Sequence, residues 1–242
     1  MNTKLHKMRS FYIASKERSI DEIIEEAFCF LEDLSQVEIF RKHIGNKWCD
    51  GDYGSIDWYE EKAFDEKRRQ VDVSKLWALL REEPWQSNLH YELMILERDL
   101  YDKGTNFIFG STRPKILQYE KMFLPDYNNG KPVICGIIIS TYRIKEYGNR
   151  WKDAFFGILL HELGHFYGLP SFSNPNFVWR GSSLDTGHCN ERLCIMEQVN
   201  IPGRLDLLDK VKLLKLRNEK WFCRYDLTKL KENLKMLRGY RP

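Results

Sequence analysis

The chain has 242 residues, of which 43% are hydrophobic and 30% are charged, and its formal net charge is only +3. This composition is ordinary for a globular protein with a sizeable core, and no apolar stretch reaches the roughly 18 residues of a membrane span, so neither nucleic acid nor a membrane is expected as a partner. The first residues lack the apolar run of a signal peptide, and six cysteines are too few for a disulfide scaffold of this length. We therefore expect a cytoplasmic protein with reduced thiols. We also expect a monomer.

Residues 1–62 are expected to form an N-terminal extension that packs on the main sheet or continues it. The pattern predicts a strand from Phe11 to Ala14 and a helix from about Ile20 to Leu34. A turn-rich segment follows around Trp48 to Trp58, and we interpret its acidic residues as a solvated turn.

After Phe64 the pattern predicts a charged turn, an amphipathic helix and then a series of short strands. The strands are expected at Glu92 to Leu96, at Asn106 to Phe109 and at Pro132 to Ser140. The last of these is rich in isoleucine and valine, which is typical of a central strand buried on both faces. Strands that lead into one long buried helix indicate an α/β fold in which a small mixed sheet packs on that helix.

The long helix is predicted to begin after Asn149 or Asp153, either of which could cap it. Its residues are apolar nearly all round, so we expect the helix to be buried. Gly168 and Pro170 should end it, as a C-terminal glycine and a following proline commonly do.

The last part of this helix reads HELGHFYG, from His161 to Gly168. Residues four apart lie on one face of a helix, so the imidazoles of His161 and His165 can bind one metal ion. Glu162 borders the same face and can reach a metal-bound water without being a ligand, which is the position of the general base in a zinc hydrolase. The alternative is a structural pair of core histidines, but two imidazoles and a carboxylate on a buried helix are costly unless a cation satisfies them.

The pattern changes after this helix. Residues 171–187 are rich in Ser, Asn, Pro and Gly and are expected to form one long loop that borders the metal site. His188 and Cys189 follow the loop directly. A last helix over about Leu227 to Leu237 closes the chain.

The combined motifs resemble those of the archaemetzincins, an intracellular branch of the metzincin zinc peptidases. HELGHFYG matches the first part of the family motif, HExxHxxG, and the run from Cys189 to Met196 matches its second part, two cysteines followed by a methionine. The segments Arg68 to Gln70, Asn106 to Gly110 and Ile138 to Arg143 also resemble family segments in the same order. The resemblance extends from about Phe64 to Leu237.

This resemblance implies a metzincin-like zinc peptidase domain over residues 63–242. In such a fold a small mixed sheet packs on the long active-site helix, and a smaller C-terminal subdomain ends in a helix. The resemblance also implies that peptides or proteins are the substrates, and that Met196 forms an apolar floor beneath the metal ligands.

The family places its third catalytic zinc ligand next to the first cysteine of the motif, where this chain has His188. Upstream of that position the chain is longer than the family pattern, and residues 170–188 are interpreted as an inserted loop that returns the chain to register. Three histidines leave a fourth position open for water, as catalytic zinc requires. Asp185 is the alternative third ligand, and Glu191 would take that place in a site of the gluzincin type.

The family also holds a second, structural zinc with four cysteines. Three of the four positions are Cys189, Cys194 and Cys223 in this chain, and the fourth is Asp226. A carboxylate oxygen is a known zinc ligand, so a site of three cysteines and one aspartate is one interpretation. The other interpretation is that Asp226 only caps the helix expected to begin at Leu227.

Two functions of different class are compatible with these motifs. The first is a zinc-dependent metallopeptidase that hydrolyses peptide bonds with a three-histidine site and Glu162 as the general base. The second is a non-catalytic zinc-binding protein that serves as an interaction module, in which the inserted loop seals the metal from water with a further ligand such as Asp185.

Overall fold

The computed structural model describes residues 9–46, 48, 53–118, 123–179, 187–199, 205–217 and 220–239. Asp185 and part of the expected turn-rich segment at 48–58 lie outside these ranges. The helices are α1 (Asp21–Ser35), α2 (Ile56–Ala63), α3 (Val73–Arg81), α4 (Trp151–Phe166), α5 (Leu207–Leu216) and α6 (Arg224–Gly239). Within the described ranges, none of the helices has the length and apolar character that a membrane span requires.

The strands are short, as expected for a sheet of modest size. In chain order they are β1 (Phe11–Ser15), β2 (Arg41–Gly45), β3 (Phe64–Asp65), β4 (Gln70–Asp72), β5 (Tyr91–Leu96), β6 (Leu100–Tyr101), β7 (Gly110–Arg113), β8 (Tyr127–Asn128), β9 (Lys131–Pro132), β10 (Gly136–Ser140), β11 (Phe177–Val178) and β12 (His188–Cys189).

The main sheet contains five strands in the order β2, β1, β5, β10 and β7. The first four run parallel, and β7 is antiparallel to β10. Strand β1 pairs with both β2 and β5, so the first segment of the N-terminal extension lies inside the sheet. The predicted α/β class with a small mixed sheet is therefore confirmed.

Both faces of this sheet are covered by helices. Ile137 and Ile139 of β10 belong to the core that includes α1 and α4, whereas Ile138 belongs to a second core with α2 and α3. Successive side chains of a strand point to opposite faces, so the continuous isoleucine run needs an apolar partner on each side. The C-terminal helices α5 and α6 pack into the same core as α4, through residues that include Val211 and Leu230.

The strand predicted at Asn106 to Phe109 is wrong in position, because β7 begins only at Gly110. The backbone before it makes single contacts to neighbouring strands instead of a continuous ladder. The amide of Ile108 donates to the carbonyl of Leu100 in β6, and the carbonyl of Phe109 accepts from the amide of Ser140 in β10, both at 2.9 Å. The carbonyl of Asn106 accepts a hydrogen bond from Gln70 at 2.8 Å and another from Arg68 at 3.3 Å. These side-chain bonds add to the isolated backbone contacts and hold the segment in place without a strand.

The predicted strand from Pro132 to Ser140 is also divided. Pro132 lies in β9, which forms a small hairpin with β8, and β10 begins at Gly136. The amide of Val133 donates to the carbonyl of Asp126 at 2.9 Å and so continues the hairpin rather than the main sheet.

Helix boundaries were the least predictable feature. Neither Asn149 nor Asp153 caps α4, which begins at Trp151 directly after a 3₁₀ helix whose Gly148 carbonyl accepts from the Trp151 amide. The preceding turn thus satisfies one of the backbone amides that a capping side chain would otherwise bind. Helix α5 was not expected, and α6 begins at Arg224, so Asp226 lies inside the helix and is not the cap before Leu227.

The centre of the sheet depends on close backbone approach at Gly136. A Cβ atom at this residue would overlap the backbone carbonyl oxygen of Glu92 in β5. We expect Gly136→Ala to lower the free energy of unfolding by about 3 kcal/mol, because neither backbone can give way. Gly45→Ala in β2 is the matched control, because its φ of 69° strains alanine by about 1 kcal/mol but a new Cβ would meet no atom within 4 Å. Equal losses in urea denaturation would contradict this account.

Candidate metal centres

Helix α4 carries His161, Glu162 and His165 on its last turns. The helix ends as predicted, because Gly168 adopts a φ of 82° and its amide donates to the carbonyl of His165 at 3.0 Å. Nearly all of the preceding residues of α4 are buried in the main core, which fixes the face that the two imidazoles share.

Backbone carbonyls fix the orientation of both imidazoles. Nδ1 of His161 lies 2.7 Å from the carbonyl oxygen of Ile195, and Nδ1 of His165 lies 2.8 Å from that of Leu169. An imidazole nitrogen this close to a carbonyl oxygen is the N–H donor, which leaves Nε2 of each ring with its lone pair. The two Nε2 atoms face one another at 3.0 Å.

His188 completes this group from a different part of the chain. It lies in β12, which pairs with β11 so that His188 is opposite Val178. Its ring centroid lies 5.4 Å from that of His161 and 5.1 Å from that of His165. One nitrogen from each of the three imidazoles lies within 4.8 Å of the others. We refer to these three residues as the histidine centre.

The donor set of the histidine centre fits a cation. Burial lowers the pKa of His161 to about 4 and, together with the two neighbouring imidazoles, holds the pKa of His165 well below its ordinary value. Burial therefore opposes protonation, which would otherwise relieve the repulsion between the two facing lone pairs. Tetrahedral zinc with bonds of about 2.0–2.1 Å places its nitrogen ligands about 3.3 Å apart, close to the observed spacing of the Nε2 atoms.

Glu162 lies beside the histidine centre, and its carboxyl group is enclosed by Thr112 and Gly110 of β7. Oε2 accepts a hydrogen bond of 2.6 Å from the hydroxyl of Thr112 in β7. A Cβ atom at Gly110 would lie only 2.7 Å from Oε1, so the absence of a side chain there gives the carboxyl its space. Burial raises the pKa of Glu162 to about 7, against the lowering effect of the Thr112 hydrogen bond. Such a group can exchange a proton near neutral pH.

A tight turn lies beneath the histidines. Met196 is fully buried, and α4 approaches it so closely that a Cβ atom at Gly164 would overlap its sulfur. The turn is fastened by a buried ion pair between Glu197 and Lys210 of α5, and Lys210 also lies 3.4 Å from the carbonyl oxygen of Cys194.

A second group of ligand atoms comes from Cys189, Cys194, Cys223 and Asp226, whose atoms also lie within 4.8 Å of one another. The sulfurs of Cys189 and Cys223 are 3.9 Å apart, and Oδ2 of Asp226 lies 3.2 Å from the Cys194 sulfur and 3.4 Å from that of Cys223. Sulfur ligands of tetrahedral zinc are about 3.8 Å apart. We call these four residues the cysteine centre.

The charged forms of the ligands in the cysteine centre are disfavoured without a cation. The three cysteines are free thiols. Burial and the neighbouring Cys223 raise the pKa of the Asp226 carboxyl to about 7, and burial holds the pKa of Cys194 well above its ordinary value. Four anionic ligands crowded together away from water are unfavourable alone and are stabilised by a divalent cation.

A cleft of about 380 Å³ opens onto the histidine centre. Its polar wall contains Glu162 and the three imidazoles, and its apolar wall contains Phe107, Phe109, Ile158, Val199 and Leu207. Strand β7 forms one side of the cleft and is an edge strand of the main sheet.

The structure brings together the residues that the sequence singled out as two groups, and it leaves Glu191 outside both among the described residues. Sequence reasoning missed Thr112, Lys210 and Asn174, whose Nδ2 donates to Oδ1 of Asp226 at 2.8 Å. No local motif marks these residues, because each reaches its partner across the fold.

The sequence of this chain is similar to those of archaemetzincins. Over 135 residues the chain is 30% identical to an archaemetzincin from Pyrococcus abyssi, which covers 52% of this chain and 62% of that protein. The matched segments span between 41% and 62% of the curated relatives' own length. No protein-family model matches the chain.

Two solved structures share the fold. The first is an archaemetzincin from Methanopyrus kandleri, with a TM-score of 0.59 and 20% identity over 97% of this chain and 99% of that one. The second is a zinc-dependent peptidase from Methanocorpusculum labreanum, with a TM-score of 0.50 and 19% identity over 91% of this chain and 98% of that one.

The raised pKa of Glu162 predicts how the stability of the metal-free protein depends on pH. The unfolded chain releases this proton near its ordinary pKa of 4.5, whereas the folded protein keeps it to about pH 7, so stability is lost as pH rises through that window. Between pH 5 and pH 8, metal-free Glu162→Gln should gain stability over wild type by something on the order of 3 kcal/mol.

Histidine titration is common to both proteins and cancels in this difference. Urea denaturation at each pH measures it, with Glu191→Gln as a control because that side chain is exposed and outside both centres. A difference between wild type and Glu162→Gln that does not change with pH would contradict the assignment.

Proposed function

Because the chain belongs to the archaemetzincin family, we propose that it is a zinc-dependent metallopeptidase that hydrolyses peptide bonds. The observation that carries this proposal is the convergence of His161, His165 and His188 beside the buried carboxyl of Glu162, at the wall of an open cleft. The zinc-dependent peptidase among the proteins of the same fold supports it.

The histidine centre is the proposed site of the catalytic zinc. Among the described residues, its group of ligands consists of three imidazoles and no further side chain, which supports an open fourth position. Zinc bound there supplies Lewis acidity to a water molecule and to the carbonyl of the scissile peptide bond.

Glu162 is the proposed general base. Its carboxylate takes a proton from the attacking water and then delivers it to the nitrogen of the leaving amine, so the proton count is unchanged over one turnover. Burial raises the pKa of this carboxyl in the metal-free protein, which favours its holding the proton that it later delivers. The Thr112 hydroxyl orients the carboxylate by donating to Oε2.

The substrate is proposed to lie along β7 in an extended conformation. This strand is antiparallel to β10 and forms the edge of the main sheet beside the cleft, so its outer backbone groups can pair with a peptide. The proposed contact lies at Gly110–Arg113, and Phe107 and Phe109 line the cleft next to it.

The cysteine centre is proposed to hold a second, structural zinc through Cys189, Cys194, Cys223 and Asp226. Such an ion would join β12, the turn before Met196 and helix α6 at one point. Because His188 precedes Cys189 and Ile195 follows Cys194, this ion would also help to position the histidine centre.

A reducing, cytoplasmic location is part of the proposal. The cysteine centre requires reduced ligands, and its three cysteines and Cys135 are free thiols in the structure.

The role of Glu162 can be separated from metal binding. We expect Glu162→Gln to retain the zinc content of wild type, because this carboxyl is not among the ligands, and to lose about 10²- to 10⁴-fold in kcat/KM, because the base is gone. Turnover of a fluorogenic peptide library and metal analysis measure the two effects.

Glu191→Gln is the matched control for this experiment and should keep full activity. Undiminished turnover by Glu162→Gln on a peptide that wild type cleaves would refute the assigned base, and loss of activity in Glu191→Gln would favour the gluzincin arrangement.

A further inference from the structure

The fourth position of the cysteine centre is an aspartate, and Asn174 of the inserted loop contacts one of its two oxygens. Oδ2 of Asp226 faces the sulfurs of Cys194 and Cys223 at 3.2 and 3.4 Å. Oδ1 instead accepts a hydrogen bond of 2.8 Å from Nδ2 of Asn174. The two oxygens of one carboxylate therefore have different partners.

The amide of Asn174 is itself held in a fixed orientation. Its Oδ1 accepts from the backbone amide of Asn176 at 2.9 Å, so Nδ2 is the end that faces the cysteine centre. The backbone of Asn174 is also fastened, because its amide donates to Ser171 and its carbonyl accepts from Phe177 at the start of β11. The side chain is buried, which leaves it little freedom to turn away.

The same amide nitrogen lies near two of the sulfurs. Nδ2 of Asn174 is 3.8 Å from the sulfur of Cys189 and 3.9 Å from that of Cys223. Three thiolates and a carboxylate around a divalent ion leave a net charge of about −2, and a buried N–H donor offsets part of it.

An aspartate ligand needs more guidance than a cysteine ligand. Its oxygens lie one atom farther from Cβ than the cysteine sulfur does, so their position depends on two side-chain torsions instead of one. A free carboxylate can also bind through both oxygens, which would expand the four-coordinate geometry of a structural zinc site. A donor that occupies Oδ1 removes both freedoms.

We propose that Asn174 is a positioning residue for a metal site formed by Cys189, Cys194, Cys223 and Asp226. It makes Asp226 a ligand through Oδ2 alone, and it makes the inserted loop part of that site. The proposal rests on the second metal centre of the proposed function and not on peptidase activity. The ion class is a divalent, tetrahedrally bound metal such as Zn²⁺ or Co²⁺.

Cobalt titration of the full chain tests this proposal without a substrate. Absorption from thiolate-to-cobalt charge transfer reports only ions at the cysteine centre, because the histidine centre has no sulfur ligand. We expect Asn174→Ala to weaken Co²⁺ binding at the thiolates by about 10- to 100-fold. In an Asp226→Cys background, where no carboxylate needs guidance, the same change should weaken binding clearly less, because only the contacts to the sulfurs at 3.8 and 3.9 Å are lost.

A second substitution covers the case in which Asn174→Ala fails to fold. Asn174→Asp keeps the acceptor for the Asn176 amide and the shape of the loop, but it presents an oxygen to Oδ1 of Asp226. We expect it to weaken Co²⁺ binding at least as much as Asn174→Ala does.

Three results would overturn the proposal. They are unchanged cobalt affinity in both Asn174 variants, an equal loss with Asp226 and with Cys at position 226, and a wild-type protein without the charge-transfer absorption. The last result would remove the second metal centre as well, whereas the first two would leave it in place. None of these results bears on the peptidase assignment, because cobalt absorption at the thiolates does not report catalysis.

Discussion

Two imidazoles on α4 face one another with their Nε2 atoms 3.0 Å apart. The surrounding residues hold both rings in this arrangement. Each Nδ1 donates to a backbone carbonyl, so neither ring can turn to relieve the contact between the two lone pairs. Protonation is opposed by burial, which lowers the pKa of both rings. A divalent cation would resolve the conflict, and His188 of β12 offers a third nitrogen within 4.8 Å of the other two.

The turn from Cys194 to Glu197 connects the two centres. Cys194 points into the cysteine centre, the carbonyl of Ile195 orients His161, and Met196 lies under Gly164 of the helix. Lys210 holds the turn from α5 through its buried ion pair with Glu197. Breaking such a pair leaves a buried charge without compensation, so the turn is fixed more firmly than its apolar contacts alone would allow.

Features that depend on local sequence were predictable. The buried helix, its glycine end and the spacing of His161, Glu162 and His165 follow from residues within one segment. The resemblance to a family supplied His188 and the cysteines, because their spacing to the helix is not local. Asn174 and Thr112 could not be predicted, because each meets its partner only after the inserted loop and the edge strand have folded against α4 and α6. The start of β7 was misplaced for a similar reason, since the segment before it is held by a single bridge to Leu100 and by side chains from elsewhere that bind the carbonyl of Asn106.

Anomalous diffraction at the zinc edge from crystals of the zinc-loaded protein would locate the ion relative to the three imidazoles. We expect an ion at about 2.0–2.1 Å from one nitrogen each of His161, His165 and His188, with the fourth position open to the cleft. A His188 ring turned away from the ion, or a fourth protein ligand such as Asp185 that closes that position, would contradict it.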